Sequence, residues 1–432
     1  MLASRIFPSI ENNMQDNPFP AAERILADIE SVFKKDPKLS EFDIVPVNEN
    51  QNKSPVLHAS HSLGLESWCV HHVFCFIYQR LMDLRKKRGR EDPGTLIRLL
   101  RGALLLNPDV SSFWHMRKDL MLSSHLDPTA DLHLSLVVLS HKPKCSEAFS
   151  HRRWVISHFL LPLCPAQTFP SPHRGGEAVD LNPSLPSPLG SISDILNGEL
   201  NVSGLAANRY ANNYHAWNHR IWTIQNVCPK GLLWRVLLRE WSETGQWVAT
   251  HVSDHSGMQY RQFLLDRMMA CSSEGDDEGG IVVDGTCEQD TGFIQVMAHA
   301  LGNFRENPGD GLASISEDGG FEGHMCENLL RLAIGELLVN TDLICQFVGH
   351  EALWCHRRFI VRTVVGMVSD WVKVACGEDL ADQLLRAMQT QEELLVAHCT
   401  LQLHSDVHQV RFAKRHAVWL ARILNISVAC EK

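Results

Sequence analysis

No apolar run in this 432-residue sequence is long enough to cross a bilayer, so no membrane span is expected. The opening "MLASRIFPSIENNMQDNPFP" lacks a basic n-region and a compact apolar h-region, which argues against secretion. The sequons at Asn201 and Asn425 are then not expected to carry glycan, and a cytoplasmic location follows. The sequence also lacks a positive balance: its net charge of -10 argues against nucleic acid as the main partner. No glycine-rich phosphate loop follows a strand, and "HEALWCH" does not have the four-residue histidine spacing of a zincin. The end "VACEK" places its cysteine third from the terminus, so the chain is not expected to be a C-a-a-X substrate. The thirteen cysteines do not fall in regular pairs, which reads as reduced thiols in apolar positions.

Helical repetition is what the sequence does contain. Five segments align with an aromatic or large apolar residue followed three positions later by arginine: "SSFWHMRKDL", "SEAFSHRRWV", "NYHAWNHRIW", "HSGMQYRQFL" and "EALWCHRRFI". Their anchors are Trp114, Phe149, Trp217, Met258 and Trp354, and their arginines Arg117, Arg152, Arg220, Arg261 and Arg357. Successive anchors are 35, 68, 41 and 96 residues apart. The first and third steps approach the roughly 34-residue period of helix-turn-helix solenoids. The longer two hold insertions at about 162–190, rich in proline, and about 271–323, acidic and rich in glycine. A divergent repeat has room near Phe293 to Phe304.

Leucines at helical spacing, a break at Asn107-Pro108 and a second helix make each unit a helical hairpin; Pro143 marks the next break. Strand-type alternation is scarce. The expected fold is therefore all-α, a right-handed alpha-alpha superhelix in which neighbouring hairpins complete one another's core. Segment 1–94 carries the N-terminal capping helices, including Trp68 to Leu84. The repeats fill 95–378, and 379–432 holds the C-terminal capping helices. The anchor side chains are expected to fill the gap between hairpins, and the arginines to donate to carbonyls or carboxylates at a neighbouring turn.

From about Thr95 to Val364 this layout resembles the alpha subunits of protein prenyltransferases, and "NNYHAWNHRIW" is close to that family's typical repeat. The resemblance implies a crescent of hairpins around a separate beta subunit, which would hold the zinc and the isoprenoid pocket. This chain would bind no cofactor itself. The family places a lysine five residues before the second anchor, and a Tyr-His pair just before the third, against the isoprenoid diphosphate; Lys144, Tyr214 and His215 match. Such a set suits a departing diphosphate, whose growing negative charge a cation and hydrogen-bond donors stabilise.

The implied activity is transfer of an isoprenoid, with geranylgeranyl favoured because most enzyme types of the family use it, to a C-terminal cysteine of an acceptor protein. The alternative is a non-catalytic helical scaffold that keeps the fold. Departures from the family pattern are Cys145, Ser146 and Phe149 in the second repeat, where asparagine, tyrosine and tryptophan are usual, and Met258 in the fourth. Two groups with metal-binding side chains are set aside. Cys69, His71, His72 and Cys75 fall on different faces of a helix, and His251, Asp254 and His255 sit at a repeat turn.

Overall fold

The computed structural model describes residues 21–47, 52–87, 92–163, 191–273, 291–302, 325–401 and 406–428. Most of the two expected insertions, at 164–190, 274–290 and 303–324, lies outside the described residues, as does Phe304. Among the described residues the fold is all-α with one small sheet, and the chain divides into two compact units, residues 1–220 and 221–432.

In the first unit, α1 (Ala22–Lys35) and α2 (Ser67–Lys87) flank a three-stranded sheet of order β1-β3-β2, with β1 at Glu41–Val45, β2 at Val56–Ala59 and β3 at Ser62–Glu66. β1 runs parallel to β3, and β2 antiparallel to it. Phe42 and Ile44 on β1 and Leu63 and Leu65 on β3 alternate with polar residues or glycine, but over only four or five residues, a run too short to stand out from the helical pattern. The β2–β3 turn places Ser60 and His61 at positive φ, the geometry of a tight hairpin turn. Neither residue is glycine. Asp36 holds the turn by accepting from His58 Nε2 at 2.8 Å and His61 Nδ1 at 2.9 Å.

Three hairpins follow: α3 and α4 (Pro93–Leu106, Ser111–Leu122), α5 and α6 (Pro128–His141, Ser146–Val155), and α7 and α8 (Ile192–Arg209, Tyr214–Val227). Local chemistry fixes their starts. Asp92 and Asp127 cap α3 and α5 by accepting from Thr95 N and Ala130 N, each with proline at the first helical position, where a missing N–H costs nothing. Ser191 and Asp194 form a reciprocal capping box on α7. The Asn107-Pro108 break falls between α3 and α4, and Pro143 between α5 and α6, where expected. α3 packs on α5, α4 on α6, and α5 on both β1 and α7. The sheet is thus joined to the repeats: Ser140 Oγ accepts from Phe42 N at 2.9 Å.

The second unit holds the hairpin α9 and α10 (Leu233–Thr250, His255–Ser273), α11 (Thr291–Gly302), the hairpin α12 and α13 (Met325–Gln346, Glu351–Met367), the short α14 (Lys373–Cys376), and α15 and α16 (Glu378–Leu401, Val407–Trp419). α11 occupies the place where a divergent repeat had room. It packs along α15, and Arg261 on α10 bonds directly to Glu336 on α12, so α12 and α13 are the next hairpin against α9 and α10. α15 and α16 form a further hairpin against α13, around Trp354, Leu395, Cys399 and Phe412.

All five anchors are buried: Trp114, Phe149, Trp217, Met258 and Trp354 are each at most 4% exposed. Trp114 Nε1 donates to the Pro108 carbonyl at 2.8 Å and Trp354 Nε1 to Gln409 Oε1 at 3.3 Å, so both indoles satisfy their polar edge.

Candidate functional site

The repeat arginines build a recurrent buried bond set. Arg152 on α6 uses Nη1 on the Leu132 carbonyl at 2.6 Å and on Ser135 Oγ at 2.8 Å, both on the first helix of its own hairpin. Its Nε and Nη2 reach Glu199 on the first helix of the next hairpin, at 2.9 and 2.5 Å. His219 Nε2 meets the same carboxylate at 2.8 Å. The pattern recurs with Arg117, Asp131 and His151, with Arg261, Glu336 and His356, and with Arg357, Glu392 and His416. Arg220 repeats the within-hairpin half on the Leu200 carbonyl and Ser203 Oγ, and Tyr260 Oη donates to Glu240. The acceptors therefore lie within helices, where the sequence reading placed them at turns. Helix-borne carboxylates let one guanidinium lock two hairpins together.

Burial raises the Glu199 and Glu392 carboxyls, but arginine and histidine outweigh it and hold each at about 2. Asp131 and Glu336 are likewise held below the ordinary range despite burial. Burial lowers His151, His219 and His416 by more than their carboxylates raise them, so each is neutral and donates its Nε2 proton. These groups have no face to solvent, and the ten anchor and arginine positions form scaffold.

The solvent-facing site lies on the first unit, where the α5–α6 turn meets the α7–α8 turn. Asn213 joins them. Its Nδ2 donates to the Pro143 carbonyl at 2.7 Å and to the Ala206 carbonyl at 3.0 Å, while its Oδ1 accepts from Ala216 N to cap α8. Asn212 before it takes positive φ, which asparagine tolerates better than most residues. Lys144 follows the clamped Pro143, and Tyr214 and His215 follow Asn213. The structure thus brings the three predicted residues onto neighbouring turns.

Tyr214 is 55% exposed, Lys144 is exposed and His215 is half-buried. The Tyr214 and His215 rings meet edge to face at 5.7 Å. Burial lowers the His215 pKa, and the positive charges of Lys144 and then Arg153 lower it further. His215 is therefore a neutral imidazole beside two cations. Arg153 itself donates from Nε to His219 Nδ1 at 3.3 Å, tying the site to the scaffold, and burial lowers its pKa. Lys144 Nζ sits 4.0 Å from the centre of the Tyr210 ring. The neighbouring turns and helix thus set one ammonium, one guanidinium, one imidazole and one phenol close together, side chains of a kind that suit an anion.

Sequence reasoning missed Arg153 and Tyr210. Arg153 follows the repeat arginine in "SHRRW", at a position that is basic in three of the five segments, as Lys118, Arg153 and Arg358, and so has no mark of its own; Tyr210 precedes the Asn-Asn pair in "RYANNYH", at a position that does not repeat. Cys145 takes over the asparagine's capping place: its Sγ accepts from Ala148 N at 3.4 Å, and burial pushes the thiol up to about 12.

The protein prenyltransferase alpha subunit repeat matches residues 196–227, the hairpin anchored on Trp217. The chain is 34% identical over 339 residues to the Homo sapiens protein prenyltransferase alpha subunit repeat-containing protein 1, covering 78% of this chain and 76% of that relative. It belongs to the protein prenyltransferase alpha-subunit repeat family. The Danio rerio relative of the same name is 34% identical across 78% of this chain and 71% of its own length. Protein 1-A of Xenopus laevis is 32% identical across 79% and 72%. No helix among the described residues is long and apolar enough to cross a membrane.

The discounted metal candidates take structural places. Cys69 donates to the Glu66 carbonyl at 3.1 Å, with its thiol pushed up to about 11 by burial, and Cys75 Sγ lies 3.7 Å from His71 Nε2. His251 stacks on Trp247 with ring centres 3.9 Å apart, and Asp254 caps α10 through Gly257 N. Among the described residues no three histidine, cysteine or acidic side chains gather as a metal site.

Proposed function

We propose that this chain is the alpha subunit of a heterodimeric protein prenyltransferase, and that Lys144, Tyr214 and His215 contact the isoprenoid diphosphate. The observation that carries the reading is the cation-rich surround: the charges His215 feels, from Lys144 and Arg153, are both positive, and Asn213 clamps the turn that carries Lys144 to the turn that leads into Tyr214 and His215. In the reaction a cysteine sulfur bonds to C1 of the isoprenoid while the C1–oxygen bond breaks, and the electron pair leaves on the diphosphate. The thiol proton passes to solvent. Lys144 and Arg153 balance the growing charge, and the Tyr214 hydroxyl and the neutral His215 donate hydrogen bonds to it.

A zinc that activates the acceptor thiol belongs on the beta subunit. Among the described residues, Cys69, Cys145 and Cys399 do not suit it, since they are buried thiols held protonated, with pKa values of about 11 to 12. The acceptor presents a C-terminal cysteine, the lipid is geranylgeranyl, and the complex works in the cytoplasm.

Co-expression with prenyltransferase beta subunits, followed by assay of the purified heterodimer for zinc-dependent transfer, tests the reading. The triple variant Lys144→Ala, Tyr214→Phe, His215→Ala should lower kcat by at least about 10²-fold, the typical effect of removing one preorganised donor, with the heterodimer intact. Unchanged kinetics would remove the assigned role. A stable heterodimer that transfers nothing would favour a scaffold.

A further inference from the structure

We propose that Tyr210 is a positioning residue: its ring holds the Lys144 ammonium in place so that the cation meets the diphosphate already oriented. This rests on the prenyltransferase reading of the site. Lysine has a flexible four-carbon stem and a strongly hydrated head, and at an exposed position it samples many rotamers. Here the ammonium lies 4.0 Å from the Tyr210 ring centre, well inside cation–π range.

The two residues are 66 positions apart in the chain, and the contact is not a chance meeting of surface groups. Asn213 bonds both the Pro143 carbonyl, one residue before Lys144, and the Ala206 carbonyl near the end of the helix that Tyr210 terminates. On the other side, Arg209 donates to the Ser140 carbonyl and pairs with Glu41 on β1. Tyr210 lies between these two ties in extended backbone, with φ -148° and ψ 118°. Its ring is thereby presented to the α5–α6 turn.

The chemistry explains why a ring serves better here than a carboxylate. A carboxylate would neutralise the ammonium and occupy its donors; a π face attracts the charge and leaves the N–H groups free to point at an anion. Lys142, two residues earlier, shows the contrast: it pairs with Asp109 at 3.4 Å, whereas Lys144 forms no ion pair among the described residues. Tyr210 is 52% exposed, so the face it offers remains open to a ligand arriving from solvent.

The test has two readouts on the full chain. In protein carrying ¹³C-lysine, the Lys144 ε-methylene resonance, assigned by its loss in Lys144→Arg, should be shifted upfield by the ring current. The shift should vanish in Tyr210→Leu and survive in Tyr210→Phe. In the heterodimer, Tyr210→Leu should raise KM for the isoprenoid diphosphate or lower kcat by about 2- to 5-fold, the size of an exposed cation–π contact. Tyr210→Phe should restore most of that loss, and Tyr210→Leu should add nothing in a Lys144→Ala background. An unshifted Lys144 resonance, equal damage from phenylalanine and leucine, or an undiminished Tyr210→Leu effect without Lys144 would each overturn the proposal. A shifted resonance in a heterodimer that transfers no isoprenoid would overturn the parent reading and, with it, the diphosphate role of Tyr210.

Discussion

Glu199→Ala isolates the bond set that joins the second and third hairpins. Glu199 accepts from Arg152 at 2.9 and 2.5 Å and from His219 at 2.8 Å, and the carboxylate and the arginine are each at most 4% exposed. Removing the carboxylate leaves a guanidinium buried without its counter-charge. Breaking a buried ion pair on one side costs about 3 to 5 kcal/mol. At about 2 to 4 °C per kcal/mol for a unit of this size, Tm should fall by about 6 to 20 °C. Urea unfolding followed by circular dichroism gives the free energy directly. The apolar replacement Arg152→Met, Glu199→Leu, His219→Phe should cost less than the single substitution, because no charge is then left buried. A Glu199→Ala variant within about 1 kcal/mol of the parent, or a triple variant worse than the single one, would refute the assignment of this triad as a lock between hairpins.

Acidification should destabilise the fold in two ranges. His151, His219 and His416 are held neutral below their ordinary pKa of 6.5, so the unfolded chain binds more protons below that pH, and stability falls as pH drops from 6.5. Each contributes at most about 1.4 kcal/mol per pH unit, and stability unchanged between pH 7 and 5 would contradict this. Glu199 and Glu392, at about 2 against an ordinary 4.5, add stability that is present above 4.5 and is lost as pH falls towards 2. Thiol titration with a disulfide reagent at pH 8 should label exposed Cys355 quickly and spare Cys69, Cys145 and Cys399 until urea unfolds the chain; early labelling of these three would disprove their burial. Asn213→Ala should loosen the clamp between the two site turns, lowering transfer more than stability, as measured by kcat/KM beside Tm. Trp114→Ala should cost about 3 to 5 kcal/mol, read by denaturant unfolding.

The anchors and arginines could be read from sequence because each is set by a local constraint, one face of one helix, that repeats at a fixed offset. Their acidic partners could not be paired so easily. The carboxylate lies 14 residues after Arg117, 47 after Arg152, 75 after Arg261 and 35 after Arg357. A second regularity was present: an acid stands 20 residues before His151, His219, Tyr260 and His356, each two positions past its anchor. That offset joins facing positions on the two helices of one hairpin, and it becomes visible only when first and second helices are aligned together. Lys144, Tyr214 and His215 were found through family resemblance, since one lysine and one Tyr-His pair have no pattern of their own. Tyr210 and Arg153 escaped because their roles come from Asn213 and His219, neighbours in space that the sequence does not mark. The strands of the small sheet alternate over only four or five residues, too short a run to stand out from the helical pattern.

The variable spacing between each arginine and its carboxylate has a consequence for how such a chain can change. Lengthening the connecting segment from 14 to 75 residues adds closure entropy of only about 1.5 kcal/mol. A buried lock worth more than that keeps adjoining hairpins seated whatever is spliced between them. Connector length is therefore a nearly free variable, and segments can be inserted, shortened or exchanged between paralogues at these points while the stacking register stays in place.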